Sequence, residues 1–424
     1  MKRRGHAIRL SYIAFVLPLL AGLLAANWPQ WRGPQRDGLS DEKGLLDSWP
    51  KEGPKLLWKL DDIGDGYSTP AVVEDRIYVI SNRGLDNEFV QALDVKGGQQ
   101  IWATRIGNVG EPDQNPSYPA ARSTPTVDGD WIYALGSDGD LACLAKDSGR
   151  VRWHKNVRKE FGGEPGEWAY SESPLIDGDK VICTPGGKEA TLVALNKENG
   201  DVIWKAQVPE GDEAGYASAV IVNVGDSKQY VQFLGDGLVG VDAETGKFLW
   251  RYDRTGQGPA NIQTPVAKDG YIYSGGGRSG GALIRLQPTG EGVVVEEIYF
   301  DSKLPTAIGG AVLVDDHLYG TSRATMVCAE FKTGDVKWTA ERGVAPASIC
   351  YADGHLYLHG ENGDVALVEA APAEYRLRGK FTPPDQPDSG SSKAWAYPVV
   401  ADGRLYIRNM GTLWCYDVRD PSGT

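Results

Sequence analysis

Spacing leaves little room for cysteine chemistry. The five cysteines, Cys143, Cys183, Cys328, Cys350 and Cys415, are odd in number and far apart, so they supply no disulfide framework. No CxxCH haem-attachment motif occurs. Histidine is as sparse: His6, His154, His317, His355 and His359 form no metal-ligand spacing. There is no GxSxG elbow and no HExxH helix. Positive charge is in deficit, with 44 Lys and Arg against 57 Asp and Glu and a net charge of −13. That disfavours a nucleic-acid partner and indicates an acidic surface. After residue 27 no long stretch has helical period, which leaves short strands and turns.

What the chain has is one segment copied eight times. The clearest copy runs from Ser123 to Trp153. Large residues close the copies: Trp58, Trp102, Trp153, Trp204, Trp250, Tyr299, Trp338 and Phe381. In five, a glycine stands four residues earlier: Gly98, Gly149, Gly200, Gly246 and Gly334. It suits a turn with positive φ before an outermost strand. Four residues further back the position is usually polar, as in Asp94, Asn196, Asp242 and Glu330, which suits a side chain capping its own turn. Copies open on Ser68-Thr69-Pro70, Ser123-Thr124-Pro125, Glu172-Ser173-Pro174, Gln263-Thr264-Pro265 or Ala396-Tyr397-Pro398. A short apolar strand follows, then Asp-Gly at 128, 177, 269, 353 and 402, each read as a type I′ hairpin. The second strand usually ends in Ile-Tyr or Leu-Tyr, as at Ile132-Tyr133 and Leu405-Tyr406. The repeat length and four strands per copy predict an all-β, eight-bladed β-propeller of four-stranded antiparallel blades. The copy from Ala396 ends without an outer strand, whereas Lys55–Leu60 is an outer strand with no blade before it. The N-terminal strand is therefore expected to complete the last blade and close the ring.

The domain plan is a segment 1–26, an arm 27–53, the propeller 54–418 and a tail 419–424. Lys2, Arg3, Arg4 and Arg9 precede an apolar run from Leu10 to Ala26, the pattern of a secretory signal peptide. Leu24 sits where a small residue is preferred, which keeps an uncleaved anchor open. No cysteine follows the run, which argues against a lipoprotein. The protein is expected to be exported, to the periplasm or beyond, to be a monomer and to meet a membrane only through this segment. Cys143, Cys328 and Cys415 hold equivalent third-strand positions and are expected in the core. His317 and His355 follow hairpin turns and are expected at the surface.

The stretch Val241-Asp242-Ala243-Glu244-Thr245-Gly246-Lys247-Phe248-Leu249-Trp250 resembles the tryptophan-docking repeat of quinoprotein propellers, the pyrroloquinoline-quinone (PQQ) repeat family. That family also contains the propeller lipoprotein of the bacterial barrel-assembly machinery. Trp28-Pro29-Gln30-Trp31-Arg32-Gly33-Pro34-Gln35-Arg36-Asp37-Gly38 and Trp168-Ala169-Tyr170-Ser171-Glu172-Ser173-Pro174 look like a secreted bacterial subgroup. The resemblance covers about residues 28–418 and implies an eight-bladed ring. It does not fix activity, because the fold hosts dehydrogenases and scaffolds alike. Family dehydrogenases carry an adjacent Cys-Cys disulfide against the quinone, and this chain has no such pair.

Loops from each outer strand to the next inner strand should rim one mouth of the channel. They are long at Trp102–Ser123 and Trp153–Ser171, and binding function tends to lie on such loops. The candidate site residues there are Arg122, Trp168, Tyr170, Glu172, Asn261, Gln263, Arg323 and Trp395. Guanidinium groups, amides and aromatic faces suit a planar, anionic, oxygen-rich ligand. PQQ answers that description, and Glu172 and Asn261 could share a calcium ion. The structural alternative is that channel-facing Arg and Glu pair across the ring. The Trp28–Trp31 arm reads as a strap docked on the ring. Three functions remain in competition. The first is an exported, non-catalytic propeller holding a protein partner or small anion. The others are a PQQ-dependent dehydrogenase of alcohols or sugars, and a scaffold of envelope assembly.

Overall fold

Alternating apolar residues and tight turns give eight blades arranged as a closed β-propeller. The computed structural model describes residues 27–422 apart from 115–116, 257, 259, 291, 324, 341–343, 345 and 389–392. The expected leader or anchor, 1–26, lies outside the described residues. The inner strands are Ala71–Val73, Thr126–Asp128, Leu175–Asp177, Val220–Val224, Val266–Lys268, Ala311–Val314, Ala347–Ala352 and Val399–Ala401, in the first to eighth blades. Each blade runs outward through three more antiparallel strands. One short helix, Val157–Phe161, stands in the loop after the second blade, capped by the Asn156 side chain.

The ring closes as the sequence implies. Lys55–Leu60 pairs antiparallel with Thr412–Asp417 and supplies the outer strand of the eighth blade. A latch that the sequence did not announce reinforces this joint. Arg408 is fully buried and donates to Met410 O, Ser68 O, Ile80 O, Gly64 O and Ser81 Oγ. Two of those acceptors are in the first blade's second strand, Arg76–Asn82, and Gly64 and Ser68 precede that blade's inner strand, so four of the five guanidinium donors serve the seam between last and first blades while the fifth closes on Met410 within the eighth.

The repeat glycine has two reasons to be glycine. Gly149, Gly200, Gly246 and Gly334 all have φ between 67° and 76°. Each also lies under the outer-strand ring of the preceding blade: Trp102, Trp153, Trp204 and Tyr299 respectively. The ring's polar atom then reaches the carbonyl three residues before the glycine in three cases. Trp102 Nε1 donates to Lys146 O, Trp153 Nε1 to Lys197 O and Tyr299 Oη to Phe331 O. Trp250 departs from this pattern. It is buried, but its indole N–H donates to Gln229 Oε1 in its own blade at 2.7 Å. The next blade presents no such turn there; its Gly280–Thr289 and Gly292–Asp301 strands form an extended hairpin.

Three expectations on turns and surfaces change or are met. Asp269-Gly270, Asp353-Gly354 and Asp402-Gly403 have positive φ at both residues, as a type I′ turn requires. Asp128 and Asp177 do not: each ends its strand, and the turn begins at Gly129 or Gly178, the glycine-first pattern of type II′. His355 is buried, not at the surface, because the N-terminal arm crosses its hairpin, with Leu45 N donating to Asp353 Oδ2. All five cysteines are free and buried. Cys143, Cys328 and Cys415 each stand between a tyrosine and a tryptophan in register, as in Tyr133, Cys143 and Trp153.

Candidate functional site

The arm is more than a strap: it fills the channel that the inner strands surround. Trp28 exchanges backbone hydrogen bonds with Val72, and Val127 N donates to Pro29 O. Arg36 donates to Ser173 O, Pro174 O and Ala219 O. Trp31 Nε1 donates to Thr264 Oγ1, and Arg32 to Ala311 O. Leu39–Ser40 pairs parallel with Tyr351 and Ala352, and Ser40 Oγ donates to Val400 O. Each of the eight blades thus gives the arm a contact on its inner strand or the residues just before it. Burial lowers the Arg36 pKa to about 10, against the attraction of Glu172.

Above the arm, on the loop-rimmed face, an aromatic cup of about 260 Å³ remains. Trp31 and Tyr397 form one side, their rings edge-to-face at 4.6 Å between centroids. Trp395 stands between Tyr67 and Tyr118, at 4.9 Å from each. Trp168 and Tyr216 face it at 5.8 Å from one another. Ser171, Ala260, Ile262 and Ile308 complete the lining with Arg122. The Arg122 guanidinium sits 5.3 Å from the Tyr67 ring centroid, and its Nη2 donates to Gln114 Oε1 and Tyr118 O. Burial holds its pKa below the usual guanidinium value.

Of the sequence candidates, the structure brings Arg122, Trp168 and Trp395 together in this cup. Arg323 lies on the same face, in an adjoining groove that shares Ala260, Ile262 and Ile308 with the cup. The other four are buried and do not line the cup. Tyr170 packs in the core and donates from its hydroxyl to Pro185 O. Asn261 donates to Leu234 O and Gly235 O, and Gln263 to Pro305 O and Ala307 O, so both tie neighbouring blades together. Glu172 accepts from Thr184 N, Thr184 Oγ1 and Gln232 Nε2. Burial pushes its pKa up to about 7, and the cation it feels is Arg36 of the arm. Trp31, Tyr67, Tyr118, Tyr216 and Tyr397 were missed as site residues. Only their position, just before inner strands or in the arm, could have marked them.

PQQ with calcium is a poor fit to these residues. Three carboxylates would meet one charged lining side chain, Arg122. Calcium takes six to eight oxygens. The proposed pair offers a carboxylate already committed to three donors and the single amide oxygen of Asn261. No group of three or more His, Cys, Asp or Glu able to hold a metal occurs among the described residues.

Comparison with known proteins gives a consistent relationship. The sequence profile of a family described as outer membrane protein assembly factor BamB matches residues 86–340. BamB of Shewanella oneidensis is 22% identical over 298 residues, covering 68% of each chain. The matches to three other curated relatives of that name span 50–61% of their lengths. Among solved structures, BamB from Moraxella catarrhalis superposes with a TM-score of 0.60 at 15% identity, covering 85% of this chain and 97% of that one. Quinohemoprotein alcohol dehydrogenase from Comamonas testosteroni gives 0.66 at 13% identity, covering 93% and 80%. These likenesses establish the shared propeller fold.

Proposed function

This chain belongs to the BamB family of PQQ-like β-propellers, and from that premise we propose that it is an exported, non-catalytic scaffold of envelope assembly. The observation that carries the reading is the arm. With hydrogen bonds to all eight blades it turns the ring into a solid disc, and recognition falls to the loops and rims. The segment from Trp102 to Ser123 and that from Trp153 to Ser171 are the long loops on this rigid frame, and they present the surface for a protein partner. The relatives named as assembly factors supply the class of partner: a component of outer-membrane protein assembly.

The test is cross-linking in envelope fractions followed by immunoprecipitation. Recovery of the outer-membrane assembly machinery, lost when residues 157–169 are replaced by a short linker, supports the reading. A protein found alone in those fractions, with normal outer-membrane protein levels in a deletion strain, overturns it.

A further inference from the structure

We infer that the aromatic cup binds a small aromatic monocarboxylate. This goes beyond the scaffold reading and does not depend on it.

The charge in the cup is unbalanced. Arg122 is its sole charged lining residue among the described residues. Nη2 has its two acceptors, Nε is buried without a partner, and Nη1 has none among the described residues. Its hydrogen bonds go to an amide and a carbonyl oxygen, and none of them to a carboxylate. Glu88 is the carboxylate that acts on it at longer range. That group is itself buried, accepts from Ser137, and stays protonated to about pH 8, so it supplies no counter-charge at neutral pH. A partly desolvated cation without an anion is costly, and a bound carboxylate would offset that cost with charge-assisted hydrogen bonds.

The walls select the rest of the ligand. Rings of Trp31, Tyr67, Trp168 and Trp395 offer faces and edges for an aromatic body. A sugar would stack as well, but it needs many free polar groups. Here Tyr216 Oη already accepts from Trp168 N, and Tyr397 Oη donates to Ile308 O. A quaternary ammonium ion suits an aromatic box, yet Arg122 would repel it. The volume of about 260 Å³ is at the small end for ligand pockets and suits one or two fused rings with a single carboxylate.

The probe is 2-naphthoate, with neutral 2-naphthalenemethanol as its control, titrated into the full protein by calorimetry and tryptophan fluorescence. Naphthoate is expected to bind one-to-one and at least ten-fold more tightly than the alcohol. Arg122→Gln should remove that margin, with a loss of about ten- to hundred-fold for naphthoate and a much smaller one for the alcohol. Trp395→Leu should weaken both. If Arg122→Gln fails to fold, the comparison of the two ligands on the unaltered protein still decides. Equal affinity for acid and alcohol overturns the role of Arg122. Absence of saturable binding of either at millimolar concentration overturns the site.

Discussion

The ring of Trp153 lies on the α-carbon of Gly200 in the next blade, where a β-carbon would meet it at 3.1 Å. Gly200 also holds φ at 76°. Gly162 has a left-handed backbone, with φ at 64° and ψ at 40°, but a β-carbon there meets nothing within 4 Å. Gly162→Ala should therefore cost about 1 kcal/mol from backbone conformation alone. Gly200→Ala should cost about 2–3 kcal/mol, the excess being the displaced ring. Urea unfolding of the pair checks this, and equal costs would remove the second reason for the glycine.

Trp250→Ala should destabilise the protein by about 3–5 kcal/mol, the range for a buried aromatic truncation. Its indole N–H is the donor to the buried Gln229 amide oxygen, so adding Gln229→Leu to the truncated protein should recover about 1 kcal/mol of that loss. Thermal and denaturant unfolding measure both.

Ring closure has two separable parts. Deleting residues 54–60 removes the outer strand of the last blade and should destabilise far more than deleting a surface loop of equal length. Arg408→Met keeps the strand but leaves five acceptors without their donor, and should cost about 3–5 kcal/mol. An unchanged melting temperature for either variant would show the seam to be held elsewhere.

Stability should fall between pH 5 and pH 8. Burial raises the pKa of Glu88 to about 8 and that of Glu172 to about 7, from an ordinary value of 4.5. The unfolded chain releases these protons above pH 4.5, whereas the folded protein keeps them. The contribution is complete below pH 4.5 and is lost as pH rises through 7 and then 8. For Glu172 it amounts to about 3 kcal/mol. Glu172→Gln should flatten its part of the slope in urea midpoints taken at pH 5, 7 and 8.

Much of the ring could be read from the chain because its determinants are local. Asp402-Gly403, Gly246 and Trp250 recur at fixed spacing, and each spacing encodes a strand or turn. Lys55–Leu60 was legible as a closing strand because a blade without an outer strand and a strand without a blade account for one another. The cup was only partly legible. Arg122, Trp168 and Trp395 are unusual residues at repeat positions, so they stand out. Tyr67, Tyr118 and Tyr216 are ordinary in a chain with nineteen tyrosines, and only the ring's curvature brings them together. Glu172, Asn261 and Gln263 were placed correctly along the chain, but whether a side chain points outward or into the seam between blades is set by neighbours distant in sequence. The same holds for Arg36, whose acceptors on the blades are 137 to 183 residues away.

The arm also dictates an order of events during synthesis. Residues 28–40 leave the ribosome before any inner strand exists, yet Ser40 awaits Val400, 360 residues later. The blade acceptors of Arg36 arrive with the third and fourth blades and that of Arg32 with the sixth, but Ser40 lacks its acceptor until the eighth. The earlier blades can form in sequence, but the centre cannot dry until the last one arrives. Such long-range closure slows folding. Nascent chains lacking the eighth blade should therefore expose the arm to chaperones and proteases, so that truncated products are marked for removal by their own beginning.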